Sequence, residues 1–167
     1  MKIEVSRHVG AEPERVWAAI ADVANSAHVI SAIESVHMVA GPSPVEVGTT
    51  WRETRTVLGR SVTEEMRVTS VDPGRSYTVQ AHSSGTDYES MLTVDRAADG
   101  AILTMTFAAR ATTGASRLMS ATLGWVVRGS TRKSLERDVA DVATFVELGP
   151  GAGDTGGTES GGRPFGP

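Results

Sequence analysis

The sequence predicts an α+β fold, an antiparallel sheet covered on one face by a long C-terminal helix. Three observations lead there. Strand-like runs outnumber helical patterns, and the links between most of them are short turns. Such turns join antiparallel neighbours, since parallel ones need a crossover of about a dozen residues or more. One helical pattern, starting near Gly114, is long enough to cover a sheet.

The first strand covers residues 2 to 9, where Ile3, Val5 and Val9 alternate with Glu4, Ser6 and His8. "GAEPERVWAAIADV" then opens a helix. Pro13 suits a first turn, where its missing N–H costs nothing, and Glu12 and Glu14 favour the positive end of the dipole. Val16, Trp17, Ile20 and Val23 recur on one face of it. "NSAHVISAI" continues as a second short helix, "ESVHMVA" is the second strand, and "GPSPVEVG" is a loop. Further strands follow at 49–58, 61–71, 75–83, 86–96 and 101–112, each bounded by turn residues. In the long helix, Leu118, Thr122, Trp125 and Val126 share a face, as do Leu135, Val139, Val142 and Val146. Gly124 and Gly129 inside it each cost about 1 kcal/mol relative to alanine. The domain is expected to span residues 1–148. Residues 149–167, rich in glycine and proline, are expected to form a disordered tail with too little to bury.

Composition narrows the function. The chain has 167 residues and is 40% hydrophobic, enough for one sizeable core. A net charge of −4 gives no electrostatic reason to expect nucleic acid. With no cysteine there is no thiol nucleophile or thiolate metal site. His8, His28, His37 and His82 show no metal-ligand spacing, so no metal is expected, and no glycine-rich phosphate loop opens a helix, which argues against nucleotides. "MKIEVSRHVG" has no apolar signal core, and no stretch approaches the roughly 20 apolar residues of a membrane span. A cytoplasmic monomer or homodimer is the expectation.

Register shows which face is inside. A two-residue loop within "LGRS", glycine first, sets Val57 opposite Val62, Arg55 opposite Glu64, Glu53 opposite Met66 and Trp51 opposite Val68. A one-residue slip would set the apolar residues against polar ones, so the pattern selects against it. Turns at 72–75, at Ser84-Gly85 and at 97–100 extend the ladder. Val68 then faces Val79, Met66 faces Ala81, Ala81 faces Tyr88, Leu92 faces Met105, and Ser90 faces Phe107. The inward face holds Trp51, Met66, Met105 and Phe107, but also Glu53, Arg55, Glu64, Ser83, Tyr88 and Ser90. Ala81, Ser83, Ser90 and Ala109 are too small to fill the space under a helix. Small residues beside convergent polar groups are the signature of a ligand pocket; a filled core with one structural ion pair is the other reading.

"EVSRHVGAEPERVWAAIADV", "VEVGTTWRET" and "VTSVDPGRSYTV", in that order before a long helix, resemble the START-like superfamily, closest to its bacterial polyketide cyclase/dehydrase group. The likeness covers residues 2 to 147. It implies the helix-grip fold: a curved antiparallel sheet of about seven strands around the C-terminal helix, with two short helices between strands 1 and 2. It also implies a cavity for a small hydrophobic or aromatic molecule and, since the cyclases of the superfamily work without cofactors, no cofactor for this chain. The motifs are helix-start and turn signals, so no catalytic residue carries over.

The polar residues are therefore weighed individually. Arg55 can stabilise an enolate, with Glu64 orienting it or accepting a proton; a cross-strand ion pair at the rim is the structural alternative. Glu53, buried without a partner, would hold its proton and act as a general acid; alternatively it shares Arg55. Tyr88, Ser83 and Ser90 can donate to a bound carbonyl, or Tyr88 simply packs. Trp51, Phe107 and Trp125 can wall a planar ligand alongside Met66, Ala81, Met105, Leu118 and Thr122, or belong to an ordinary core. His82 faces Asp87 on the outer surface. Three functions compete: a cofactor-independent cyclase, aromatase or dehydratase; a carrier for a lipid, quinone or isoprenoid; and a chaperone activator, which fits worst because it needs no polar cavity.

Overall fold

The computed structural model describes residues 1–83, 85–112 and 114–149, with the side chains of 114–127 outside the described set. Leu118, Thr122 and Trp125, and the expected tail beyond residue 149, thus lie outside the described residues. Strand β1 (Lys2–Val9) leads into α1 (Pro13–Ala21), a 3-10 turn (Val23–Asn25) and the single-turn α2 (Ser26–Val29). Six strands follow: β2 (Ile33–Ala40), β3 (Thr50–Val57), β4 (Arg60–Asp72), β5 (Ser76–Ser83), β6 (Thr86–Ala97) and β7 (Gly100–Ala111). The last element is α3 (Gly114–Leu148).

All neighbours in the sheet are antiparallel, in the order β1-β7-β6-β5-β4-β3-β2. The first strand pairs with the last, and the short helices carry the chain from one edge of the sheet to the other. Register shifts in β2/β3 and between Val68 and Ser70 of β4 add the local bend and twist that a curved sheet requires. α3 crosses the inner face. Arg132 Nη1 donates to the Glu4 carbonyl of β1 at 3.2 Å, while Asp138 meets Arg55 of β3. Four further bonds fix the C-terminal half of α3. Arg15 donates to the Val146 carbonyl at 2.7 Å, and the Gly10 N–H to Glu147 Oε1 at 2.8 Å. The Ser31 N–H and hydroxyl both donate to Asp141 Oδ2.

The expected ladders from β4 to β7 hold: Met66 pairs with Ala81, Val68 with Val79, Ala81 with Tyr88, Leu92 with Met105 and Ser90 with Phe107. The β3–β4 hairpin is a correction. Its loop is Leu58-Gly59 rather than Gly59-Arg60, with φ of 50° and 76°, the type I′ pattern. Every pair moves by two residues. Arg55 faces Val62, Glu53 faces Glu64, Trp51 faces Met66, and Val57 at the tip is exposed. A two-residue slip keeps each side chain on its own face, so alternation of polar and apolar residues cannot detect it.

Packing is uneven along the inner face. At one end Val5, Leu103, Val94, Val79, Val68 and Tyr77 are buried against Leu135, Val139, Val142 and Val146 of α3 and Val16 and Ile20 of α1. At the other end Val62, Met66, Ala81, Tyr88, Ser90, Phe107 and Ala109 are only half-buried.

Candidate functional site

Where the packed end meets the open end, three ionisable groups converge. Glu53 and Asp138 are 7% and 3% exposed, values seldom reached by charged residues. β3 places Trp51, Glu53 and Arg55 on one face, at the two-residue spacing of a strand. Trp51 Nε1–H donates to Glu53 Oε2 at 3.3 Å, and Arg55 Nε stands 3.8 Å from Glu53 Oε1. Arg55 Nη2 donates to Asp138 Oδ2 at 2.6 Å. The other oxygen, Asp138 Oδ1, is buried with no hydrogen-bond partner among the described residues.

Charge does not balance in this cluster, which has two acids and one guanidinium. Burial pushes the Glu53 carboxyl up from its ordinary range, against the pull of Arg55 and the Trp51 hydrogen bond. Burial likewise pushes Asp138 up, against Arg55. For Arg55, burial works against the charge, and Asp138 and then Glu53 outweigh it, so its proton is held more tightly than usual. A carboxyl that holds its proton more tightly than usual beside a fixed cation is suited to donating that proton, and the cation to stabilising the oxyanion that forms. Tyr77, behind the cluster, donates its buried hydroxyl to the Ile20 carbonyl at 2.9 Å and packs edge-to-face on Trp17 at 6.1 Å. It closes the last turn of α1.

The sequence-predicted residues divide into two groups. Arg55, Glu53 and Trp51 come together. Glu64 lies opposite Glu53 and makes no ion pair with Arg55, so the expected Arg55–Glu64 pair is replaced by Arg55–Asp138. The slip in the hairpin is the reason. Tyr88 stacks on Phe107, centroids 5.8 Å apart at 31°, and with Met66, Ala81, Ser83, Ser90 and Met105 lies half-buried on the inner face. Asp138 is the residue that sequence reasoning misses. Its signal is present, since an acid interrupts the apolar stripe of Leu135, Val139 and Val142 at helical spacing. His82 pairs with Asp87 on the outer face at 2.6 Å.

Two surface depressions lie elsewhere. One, of about 280 Å³, is bounded by Arg15, Ala19, Val29 and Phe145; the other, of about 410 Å³, by Trp17, Pro44, Val45 and Val71. Neither touches Glu53, Arg55 or Asp138. Among the described residues no three metal-ligating side chains converge, and no described helix is long and apolar enough to cross a membrane.

No curated protein matches the sequence. Solved structures do. A START superfamily protein from Mycobacterium smegmatis superposes with a TM-score of 0.73 at 13% identity, covering 88% of this chain and 97% of the other. TTHA0849 from Thermus thermophilus gives 0.71 at 18%, covering 87% and 97%. The Zhui aromatase/cyclase from Streptomyces sp. R1128 gives 0.65 at 17%, covering 88% and 93%. At such identities the likeness is one of fold, the helix-grip arrangement of the START-like proteins. The sequence also matches the model of the polyketide cyclase / dehydrase and lipid transport family over residues 1–143, and the chain belongs to that family.

Proposed function

We propose that the chain takes a small hydrophobic or aromatic molecule between the open end of the sheet and α3, and acts on it by proton transfer without a cofactor, as a cyclase or dehydratase does. The observation that carries this is Glu53, buried beside Arg55 with its carboxyl pushed up from the ordinary range by burial, at the inner limit of a half-open face lined by Tyr88 and Phe107. In a dehydration, Arg55 donates to the ketone oxygen and stabilises the enolate as Glu64 removes the neighbouring carbon's proton. Glu53 gives its proton to the departing hydroxyl, which leaves as water, and the proton on Glu64 then returns to Glu53 through solvent. The family match and an aromatase/cyclase among the similar folds support the reaction class.

A second reading, a carrier for a lipid, quinone or isoprenoid, is favoured by the way Arg55 is engaged by both acids, as in a purely structural cluster. Substitution separates the two. Arg55→Met alone strands two buried acids and should cost about 3–5 kcal/mol, whereas Arg55→Met with Asp138→Leu leaves only Glu53, still bonded to Trp51, and should recover part of that loss. Native mass spectrometry of the chain from its own host would identify a copurifying molecule. The double variant should still bind that molecule and lose its conversion; conversion at the wild-type rate would overturn the catalytic assignment.

A further inference from the structure

α3 carries a cation on its inward face. Arg128 stands about five turns before Val146, on the stripe of Leu135, Val139 and Val142 that packs on the sheet. Those four are buried, yet Arg128 is exposed, with no ion-pair or hydrogen-bond partner among the described residues. Its position along the sheet follows from Arg132, which reaches the Glu4 carbonyl. One turn further towards the start of α3, about 6 Å, lies the level where Lys2 pairs with Ala108. Phe107 and Ala109 flank that row, and Tyr88 and Ser90 are paired with them on β6. These floor residues are half-buried and Arg128 is exposed, as the walls of the proposed binding gap would be. Charge is spread unevenly along this face, with Arg128 unpaired towards the start of β1, and with Glu53, Arg55 and Glu64 of β3 and β4 gathered around Asp138 of α3.

We infer that the ligand of this gap is an apolar acid. Its carboxylate or phosphate pairs with Arg128, its body lies on Tyr88 and Phe107, and its uncharged end meets Glu53 and Arg55. At the far end Arg55 is already engaged by Glu53 and Asp138, with Glu64 opposite Glu53, so an acidic group is better placed at the unpaired Arg128, and the charges select one orientation. The inference rests on the proposed binding gap and adds the chemical class of its occupant.

Two fluorescent probes of similar shape test it: anilinonaphthalene sulfonate, which is anionic, and phenylnaphthylamine, which is neutral. The full-length chain should bind the sulfonate more tightly. Arg128→Gln should weaken the sulfonate about tenfold and leave the neutral probe within about twofold, with an unchanged thermal melt. Lys133→Gln, on the exposed side of α3, should change neither. Equal loss of both probes in Arg128→Gln, loss of neither, or the same loss in Lys133→Gln would overturn the assignment and leave the gap intact. Failure of both probes to bind the wild type would remove the gap itself. Displacement of the sulfonate by dodecanoate or by dodecyl phosphate tells carboxylate from phosphate, and displacement by neither counts against the inference.

Discussion

Glu53 shows how a single buried acid makes stability depend on pH. In the folded chain its carboxyl holds a proton above the ordinary value of 4.5, because burial outweighs Arg55. The native state therefore binds that proton more tightly than the unfolded chain. Its contribution to stability is fully present below about pH 4.5 and is lost as pH rises through the raised folded value. Glu53→Gln keeps an acceptor for Trp51 and cannot ionise. We expect the stability of this variant, relative to wild type, to grow as pH rises above about 4.5 and then level off, measured by urea unfolding from about pH 4 to about pH 8. A difference independent of pH would mean that Glu53 ionises as freely as in solvent. Asp138, raised for the same reason, can be examined in the same way with Asp138→Asn.

At the scale of elements, the β3–β4 hairpin decides which acids meet which cation. Its alternation of apolar and polar residues was legible in the sequence and correctly assigned Trp51, Glu53, Arg55 and Glu64 to one face. The turn was not, because Gly59 suits either of two loops and only one of them leaves Leu58 at positive φ. Leucine is a poor residue there and asparagine a favoured one. Leu58 is also 80% exposed, so little packing is at stake. Leu58→Asn should therefore stabilise the chain by about 0.5–1 kcal/mol in chemical denaturation. Loss of stability would show that the turn is not type I′.

At the scale of the molecule, the chain closes on itself. β1 pairs with β7 along its whole length, and the end of α3 is bonded to Arg15 and to the turn at Gly10. Gly100 sits at this seam with φ of 144°, and a Cβ there would lie 2.2 Å from the Val9 carbonyl oxygen. Gly100→Ala should cost about 2 kcal/mol or more, because backbone rather than a flexible side chain must move. The loss should be global: unfolding followed by far-ultraviolet and near-ultraviolet circular dichroism should shift together. Separate transitions would mean that the β1–β7 seam melts on its own.

By itself the sequence determined the order of strands and helices, the face each strand turns inward, most of the ladder from β4 to β7, and the presence of charge among apolar neighbours. Those features follow from local periodicity and turn chemistry, which act over a few residues. Only the tertiary structure decided that Arg55 pairs with Asp138, 83 residues away, and that Glu53 lies beside it with Glu64 opposite. A two-residue shift leaves a strand's pattern unchanged, and a helix side chain meets a strand only when both are packed, so no local signal could choose that partner.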